Sequence, residues 1–151
     1  MTIETQFGPI QAAVNADGAL TELKFGPANG NGKGKGAVNP NVGRQLGEFF
    51  AGKRKTFDLP MAPEGTDFQK QVWAELMRIP YGETISYAEL AKRMGRQGAA
   101  RAVGRANATN PIAIVVPCHR VIGADGSLTG YAYGVELKRS LLDFERGQAG
   151  L

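Results

Sequence analysis

The chain contains one cysteine, one histidine and one tryptophan in 151 residues. A single thiol excludes an intrachain disulfide and any metal site built from several thiolates, so no metal or other cofactor is expected. With no disulfide, a reducing, cytoplasmic compartment is expected. Long apolar runs are also missing. No stretch approaches the ~20 residues needed to span a bilayer, and no apolar segment follows a basic N-terminal stretch, so neither membrane insertion nor secretion is expected. Internal repeats are absent too. What remains is ordinary globular composition, 42% apolar and 21% charged, on a chain long enough for one large domain or two small ones sharing a core.

The net charge of +4 hints at an anionic partner, and its distribution says more than its size. Between Ile85 and Ile122 stand Lys92, Arg93, Arg96, Arg101, Arg105 and Arg120 against the single acid Glu89. Charge runs are usually solvated helix faces; this one coincides with other signals.

The pattern along the chain predicts an α+β protein, with an N-terminal α/β domain over 1–65 and a mainly helical domain over 66–151. Phe7 to Val14 and Leu20 to Phe25 alternate like strands around Asp17-Gly18, a pair that favours a tight turn. The glycine-rich stretch 26–40 cannot bury a face and reads as a flexible loop. Val42, Leu46, Phe49 and Phe50 recur at helical spacing, and Thr56 to Leu59 reads as a third strand. Thr66 or Asp67 can cap a helix with the stripe Phe68, Val72, Trp73, Leu76 and Met77, ended by Pro80. Ser86 caps a short helix to Met94, Gly95 to Gly98 form a turn, and Ala99 to Ala108 form a second short helix, which together read as a helix-turn-helix. Ile112 to Val116 is a continuous apolar run. Val135 to Glu145 forms the last helix, with Val135, Leu141, Leu142 and Phe144 available for packing.

Pro117-Cys118-His119-Arg120 follows the apolar run directly. A lone cysteine in such a place is most often an inert core residue. Here Pro117 fixes the angle at which the backbone leaves the run, while His119 and Arg120 are unsuited to a hydrophobic core, so Cys118 is expected at a pocket mouth. Free cysteine, with a pKa near ~8.5, needs a base or a positive field to act as a nucleophile at neutral pH. His119 can be that base. Side chains at i and i+1 diverge, so a bridging water is the expected link, and a carboxylate from elsewhere must fix the histidine tautomer.

The segment Pro117-Cys118-His119-Arg120-Val121 resembles the active-site signature of the O6-alkylguanine-DNA alkyltransferase family, the methylated-DNA–protein-cysteine methyltransferases. Ile79-Pro80-Tyr81-Gly82-Glu83, Ser86-Tyr87, Ala99 to Gly104, Asn110-Pro111, Gly130-Tyr131 and Lys138-Arg139 with Leu141-Leu142 also resemble family segments, in order and spacing, over about residues 66 to 146. The resemblance implies single-turnover repair. Cys118 takes the alkyl group from O6-alkylguanine, and also from O4-alkylthymine, in double-stranded DNA. His119 activates Cys118 through water, Glu145 orients His119, and Asn110 holds the backbone between recognition helix and active-site loop. Tyr87 stands beside the flipped nucleotide as proton donor, phosphate contact or both, and Arg101 fills the gap in the base stack. The family docks its helix in the minor groove; a monomer, nucleoid-associated in a prokaryote, is implied.

Physical reasoning supports these roles. A target atom inside a duplex is out of a thiolate's reach, so the nucleotide must leave the stack, and a planar guanidinium can offset the lost stacking. At helical spacing Arg101, Gly104, Arg105 and Ala108 share one face, with Ala102, Val103 and Ala106 facing the core; small residues beside two arginines allow close approach to DNA. The minor groove carries little sequence information, which suits repair at any site. Taken alone, Tyr87 reads as a core aromatic, Asn110 as a helix terminator and Glu145 as a solvated acid. Trp73, Phe49 and Phe50 read as core. The substrate-pocket segment comprises Val121, Tyr131, Ala132 and Tyr133. Tyr133 departs from the small residue usual in the family, and Arg105 and Asn107 are more polar than family recognition helices lead one to expect. The cysteine zinc site of some members has no counterpart. Two other readings stand beside this one. A non-catalytic lesion-binding module, like the alkyltransferase-like proteins, commonly has tryptophan at the acceptor position. A cysteine hydrolase would require an oxyanion loop that is not recognisable in the sequence.

Overall fold

The structure, a computed structural model, describes residues 1–27, 39–128 and 130–148. Most of the loop expected at 26–40 therefore lies outside the described residues. The chain divides into two compact units, Met1–Glu64 with Pro111–Val115, and Gly65–Asn110 with Val116–Leu151.

The first unit holds a three-stranded antiparallel sheet in the order β1 (Thr2–Thr5), β2 (Gly8–Val14), β3 (Leu20–Phe25), followed by helix α1 (Pro40–Phe50). The sequence pattern predicts only the second and third strands. β1 is a short edge strand of polar and half-buried residues, too weak in apolar alternation to be read, yet it pairs fully from Thr2 with Gln11 to Thr5 with Gly8. The Asp17-Gly18 turn spans Asn15 to Ala19, because the Asn15 side chain accepts from both Asp17 N and Ala19 N. Asn39 caps α1 through Asn41 N, and Pro40 stands at the start of the helix, where its missing N–H costs nothing.

No strand forms at 56–59. The backbone N–H and C=O of Asp58 are instead taken by the side chain of buried Gln45 on α1, at 2.9 and 3.0 Å. Just beyond this stretch the chain meets the sheet at the bridge between Leu20 and Met61. Pro111–Val115 joins this unit because Ile112 bridges Leu23, with Leu23 N donating to Pro111 O and Ala113 N donating to Leu23 O. Phe49 packs against Phe50 edge-on and against Phe57 face-on, as core residues.

The second unit contains α2 (Asp67–Leu76), α3 (Tyr87–Arg93), α4 (Ala100–Ala108) and α5 (Val135–Gln148), with two short parallel strands, β4 (Ile85–Ser86) and β5 (Val121–Ile122). Thr66 and Gln69 form a reciprocal capping box at the start of α2. Val72, Trp73 and Leu76 are buried, but Met77, expected on the same stripe, is 41% exposed. α2 ends at Leu76, before Pro80, as the backbone tightens to bonds of Arg78 N to Glu75 O and Ile79 N to Leu76 O; Ile79 then takes the core position. Trp73 donates its indole N–H to Ala106 O at 2.9 Å, locking α2 onto α4. Ser86 caps α3 through Glu89 N, and α3, the turn at 94–99 and α4 form the predicted helix-turn-helix. On α5, Leu141 and Leu142 are buried while Val135, at its exposed start, is not.

Candidate functional site

The segment leading to Cys118 is bent twice. Ile114 has φ 72, in the left-handed region that a β-branched residue adopts only at a cost. Pro117, at φ −82 and ψ 64, is the centre of an inverse γ-turn in which Cys118 N donates to Val116 O at 2.8 Å. Cys118–Arg120 then makes one 3-10 turn before β5. Two asparagines, Asn107 in α4 and Asn110 just past its end, hold this segment: Asn110 donates to Val116 O at 2.8 Å and Asn107 to Cys118 O at 3.4 Å. Asn107 therefore faces the turn, away from the exposed side of α4.

The expectation that Cys118 lies at a pocket mouth, with His119 and Arg120 outside the core, is overturned. Cys118 and Arg120 are each 6% exposed and His119 is 0% exposed. Glu145 makes this possible. Fully buried on α5, its carboxylate accepts from His119 Nε2 at 2.8 Å and from Arg120 Nε and Nη2 at 2.9 and 2.8 Å, with Gly82 N at 3.4 Å. Arg120 also donates from Nη1 to Ile79 O at 2.8 Å, and its guanidinium lies 5.6 Å from the centre of the Tyr81 ring. A buried carboxylate sharing two basic side chains is held far down, to about 2; burial pushes against this, and the hydrogen bonds and charges of His119 and Arg120 overcome it.

The consequence for His119 is a defined tautomer. A carboxylate accepts, so Nε2 carries the proton and Nδ1 is left with its lone pair; no described residue occupies Nδ1. Burial lowers the His119 pKa below its usual value, against the pull of Glu145, which keeps the ring neutral near pH 7. Burial likewise pushes the Cys118 thiol up, while the Asn110 side chain and the Lys138 charge draw it back. The resting sulfur is therefore a thiol, and the neighbouring residue in the chain is a neutral imidazole with a free acceptor nitrogen.

The exposed face of α4 borders an open cleft of about 580 Å³ lined by Tyr87, Ala100, Arg101, Gly104, Arg105, Ala108 and Gly130. Arg101, Arg105 and Ala108 are exposed, and Val103 and Ala106 are buried on the opposite side, with Ala102 between. One glycine makes room for Tyr87: a Cβ on Gly130, whose φ is +76, would lie 3.0 Å from the hydroxyl, whereas one on Gly104 would meet the ring in ordinary contact at 3.6 Å. Burial raises the Tyr87 pKa, followed by the charge of Cys118. Of the expected pocket segment, Tyr131 and Tyr133 meet edge to face at 5.4 Å, and Ala132 is exposed. Val121 is fully buried in β5, paired with Ile85, and does not line the cleft.

Sequence reasoning assigned no role to three side chains at this site. Arg120 counts in the sequence as part of the basic cluster and as unsuited to a hydrophobic core, with nothing to mark it as a partner of Glu145. Asn107 stands out in the sequence only as more polar than family recognition helices lead one to expect. Lys138, fully buried on α5, shares a face with Leu141, Leu142 and Glu145; a lysine inside that spacing was the available signal. Among the described residues no three His, Cys, Asp or Glu side chains gather as a metal site, and no helix is long and apolar enough to cross a membrane.

A helix-turn-helix whose second helix and the asparagine just past it hold the backbone around a buried cysteine, with a histidine and carboxylate in the same unit, defines a DNA-binding protein with a cysteine centre. The chain belongs to the 6-O-methylguanine DNA methyltransferase family, whose DNA-binding-domain model matches residues 67–147. It is 49% identical to the methylated-DNA–protein-cysteine methyltransferase of Methanosarcina barkeri, over 95% of this chain and 94% of that protein. Against the Methanosarcina acetivorans protein of the same name the identity is 62% over 102 residues, covering 68% of this chain and 65% of that protein, just under two thirds of its length. The fold is similar to the crystal structure of Mycobacterium tuberculosis OGT in complex with DNA, with a TM-score of 0.88 and 45% identity over 97% of this chain and 92% of that one. Family membership makes the chain a DNA-repair transferase.

Proposed function

We propose that the chain restores alkylated guanine in double-stranded DNA by moving the alkyl group from O6 to Cys118, irreversibly and once per chain, with O4-alkylthymine as a second substrate. The observation that carries this reading is the commitment of His119 Nε2 to Glu145, which leaves Nδ1 as an acceptor one residue from the only thiol. His119 Nδ1 takes the thiol proton through a bridging water. The sulfur attacks the alkyl carbon, the C–O6 bond breaks, and guanine leaves with a proton supplied by Tyr87. Because burial raises the Tyr87 pKa, its hydroxyl stays protonated at neutral pH and is available to donate to the departing guanine as negative charge develops on it. A thioether is a stable product and no second cysteine exists to relieve it, so turnover stops after one event.

In this reading α4 docks in the minor groove, Arg101 enters the gap left by the extruded base, and Arg105 meets a phosphate or groove edge. Gly104 and Ala108 permit the approach, Asn110 holds the active-site segment, and Tyr131, Ala132 and Tyr133 form the wall of the alkyl pocket. Both functions belong to residues 66–151, and the protein acts as a monomer without a cofactor. Cys118→Ala tests the assignment. Given a duplex labelled on the O6-methyl group, the variant binds the duplex and takes up no label. Label uptake by the variant would remove Cys118 from the chemistry, and loss of binding would make the thiol structural.

A further inference from the structure

Asn107 stands in the last turn of α4 and is 2% exposed, on the side that also buries Val103 and Ala106. Its amide is engaged at one end. Nδ2 donates to Cys118 O at 3.4 Å, and the same oxygen accepts from Val121 N where the 3-10 turn ends. Oδ1 is buried, and no described residue donates to it. Turning the amide over would set its oxygen against the Cys118 carbonyl oxygen, so the partner fixes the orientation and leaves Oδ1 unmet. A buried acceptor without a donor costs stability, and a leucine of the same branched outline would avoid that cost. Packing therefore does not account for an asparagine here, whereas the bond to Cys118 O does.

We infer that Asn107 is a positioning residue for alkyl transfer: it fixes the peptide of Cys118, and with it the line along which the sulfur approaches the alkyl carbon. This rests on reading Cys118 as the alkyl acceptor. Both polar groups of the Cys118 backbone are engaged, N on Val116 O at 2.8 Å and O by Val121 N and Asn107 Nδ2. Short 3-10 turns have poorer hydrogen-bond geometry than α-helices, so a side chain reaching in from α4 adds a restraint that the turn lacks by itself. In-line displacement is sensitive to such a restraint, since a misplacement of ~1 Å costs ~10²-fold in rate.

The helix that supplies the restraint is itself anchored beside Asn107. Trp73 Nε1 on α2 and Thr109 Oγ1 both donate to Ala106 O at 2.9 Å. The same helix exposes Arg101 and Arg105, so a duplex seated on that face and the acceptor peptide are referred to one rigid element. The two asparagines divide the work: Asn110 holds Val116 O, ahead of the acceptor, and Asn107 holds the acceptor's own carbonyl. Asn107 carries no charge and takes no part in the bond changes; the S–C bond forms and the C–O6 bond breaks without it, from a less well-placed sulfur.

The test is single-turnover transfer from an O6-methylguanine duplex at increasing protein concentration, at pH 7 and pH 9, with the methylated residue located by mass. It separates the limiting rate, set by the chemistry, from the half-saturating concentration, set by binding. Asn107→Leu and Asn107→Ala are compared with wild type, and thermal melting is measured on each. Asn107→Leu melts at or above the wild-type temperature. Both variants half-saturate where wild type does, and their limiting rates are lower by about tenfold to a hundredfold. The factor is the same at both pH values, because no titrating group has been removed. A deficit that closes at pH 9 would make Asn107 an aid to thiol ionisation and overturns the proposal. So does a wild-type limiting rate in either variant, or a loss confined to the half-saturating concentration. Failure of both variants to fold would make the residue structural and overturns it too. Methyl found away from Cys118 in the wild-type protein instead overturns the function on which the proposal rests.

Discussion

Replacing Glu145 with glutamine tests the buried charge cluster without changing its volume. The carboxylate accepts from His119 and twice from Arg120; the amide keeps one acceptor oxygen, turns the other position into a donor, and leaves the Arg120 guanidinium buried without a counter-charge. Removing one partner of a buried pair costs about 3–5 kcal/mol. The depressed pKa gives a similar figure: a carboxyl held at about 2 instead of 4.5 corresponds to roughly 3 kcal/mol of stabilisation at neutral pH. Because the folded pKa is depressed, that stabilisation is fully present above about 4.5 and is lost as pH falls through about 2. At roughly 2–4 °C per kcal/mol for a chain of this size, Glu145→Gln lowers Tm by about 10 °C at pH 7. Urea and thermal unfolding of both proteins from pH 7 downward measure the gap, which narrows as wild type itself loses the charge. A gap that is absent at pH 7, or equally wide at every pH, would refute the reasoning.

Three further outcomes follow from the same site. His119→Ala alkylates much more slowly at neutral pH and recovers part of its rate at high pH, where the thiol ionises unaided; a wild-type rate at pH 7 would remove His119 from the mechanism. Arg105→Ala weakens duplex binding similarly for all sequences and lowers the salt slope by about one unit, whereas Arg101→Ala impairs repair of duplex more than of single strands; equal loss on both forms, or salt dependence carried by Arg101 alone, would reverse the assignment. Tyr133→Gly accelerates reaction with an O6-benzyl substrate more than with O6-methyl, and equal effects on both would mean that the ring points away from the alkyl pocket.

The helices and their caps were legible because they are written locally. Thr66 or Asp67 as the cap of α2, which proves to be Thr66, Ser86 as the cap of α3, and the stripe of Val72, Trp73 and Leu76 are short-range patterns that tertiary contacts reinforced. What the sequence hid depends on distant partners. The 56–59 stretch has strand composition, but its backbone groups are claimed by a glutamine side chain from α1. β1 carries little apolar signal and forms by pairing with β2. At the site, the cysteine and histidine were readable as chemistry, and Glu145 only through the family resemblance. The burial of His119 and Arg120 was not readable, because a polar pair looks unsuited to a core until the carboxylate that neutralises it, 25 residues from Arg120, is in place.

The account stands on Cys118 as acceptor of a single alkyl group, and intact-mass analysis with peptide mapping, after mixing the protein with excess O6-methylguanine duplex, tests this most directly. The predicted result is a gain of one methyl per chain, confined to Cys118, with repaired DNA levelling off at one equivalent of protein. Methyl on another residue, or repaired DNA accumulating well past one equivalent, would contradict it.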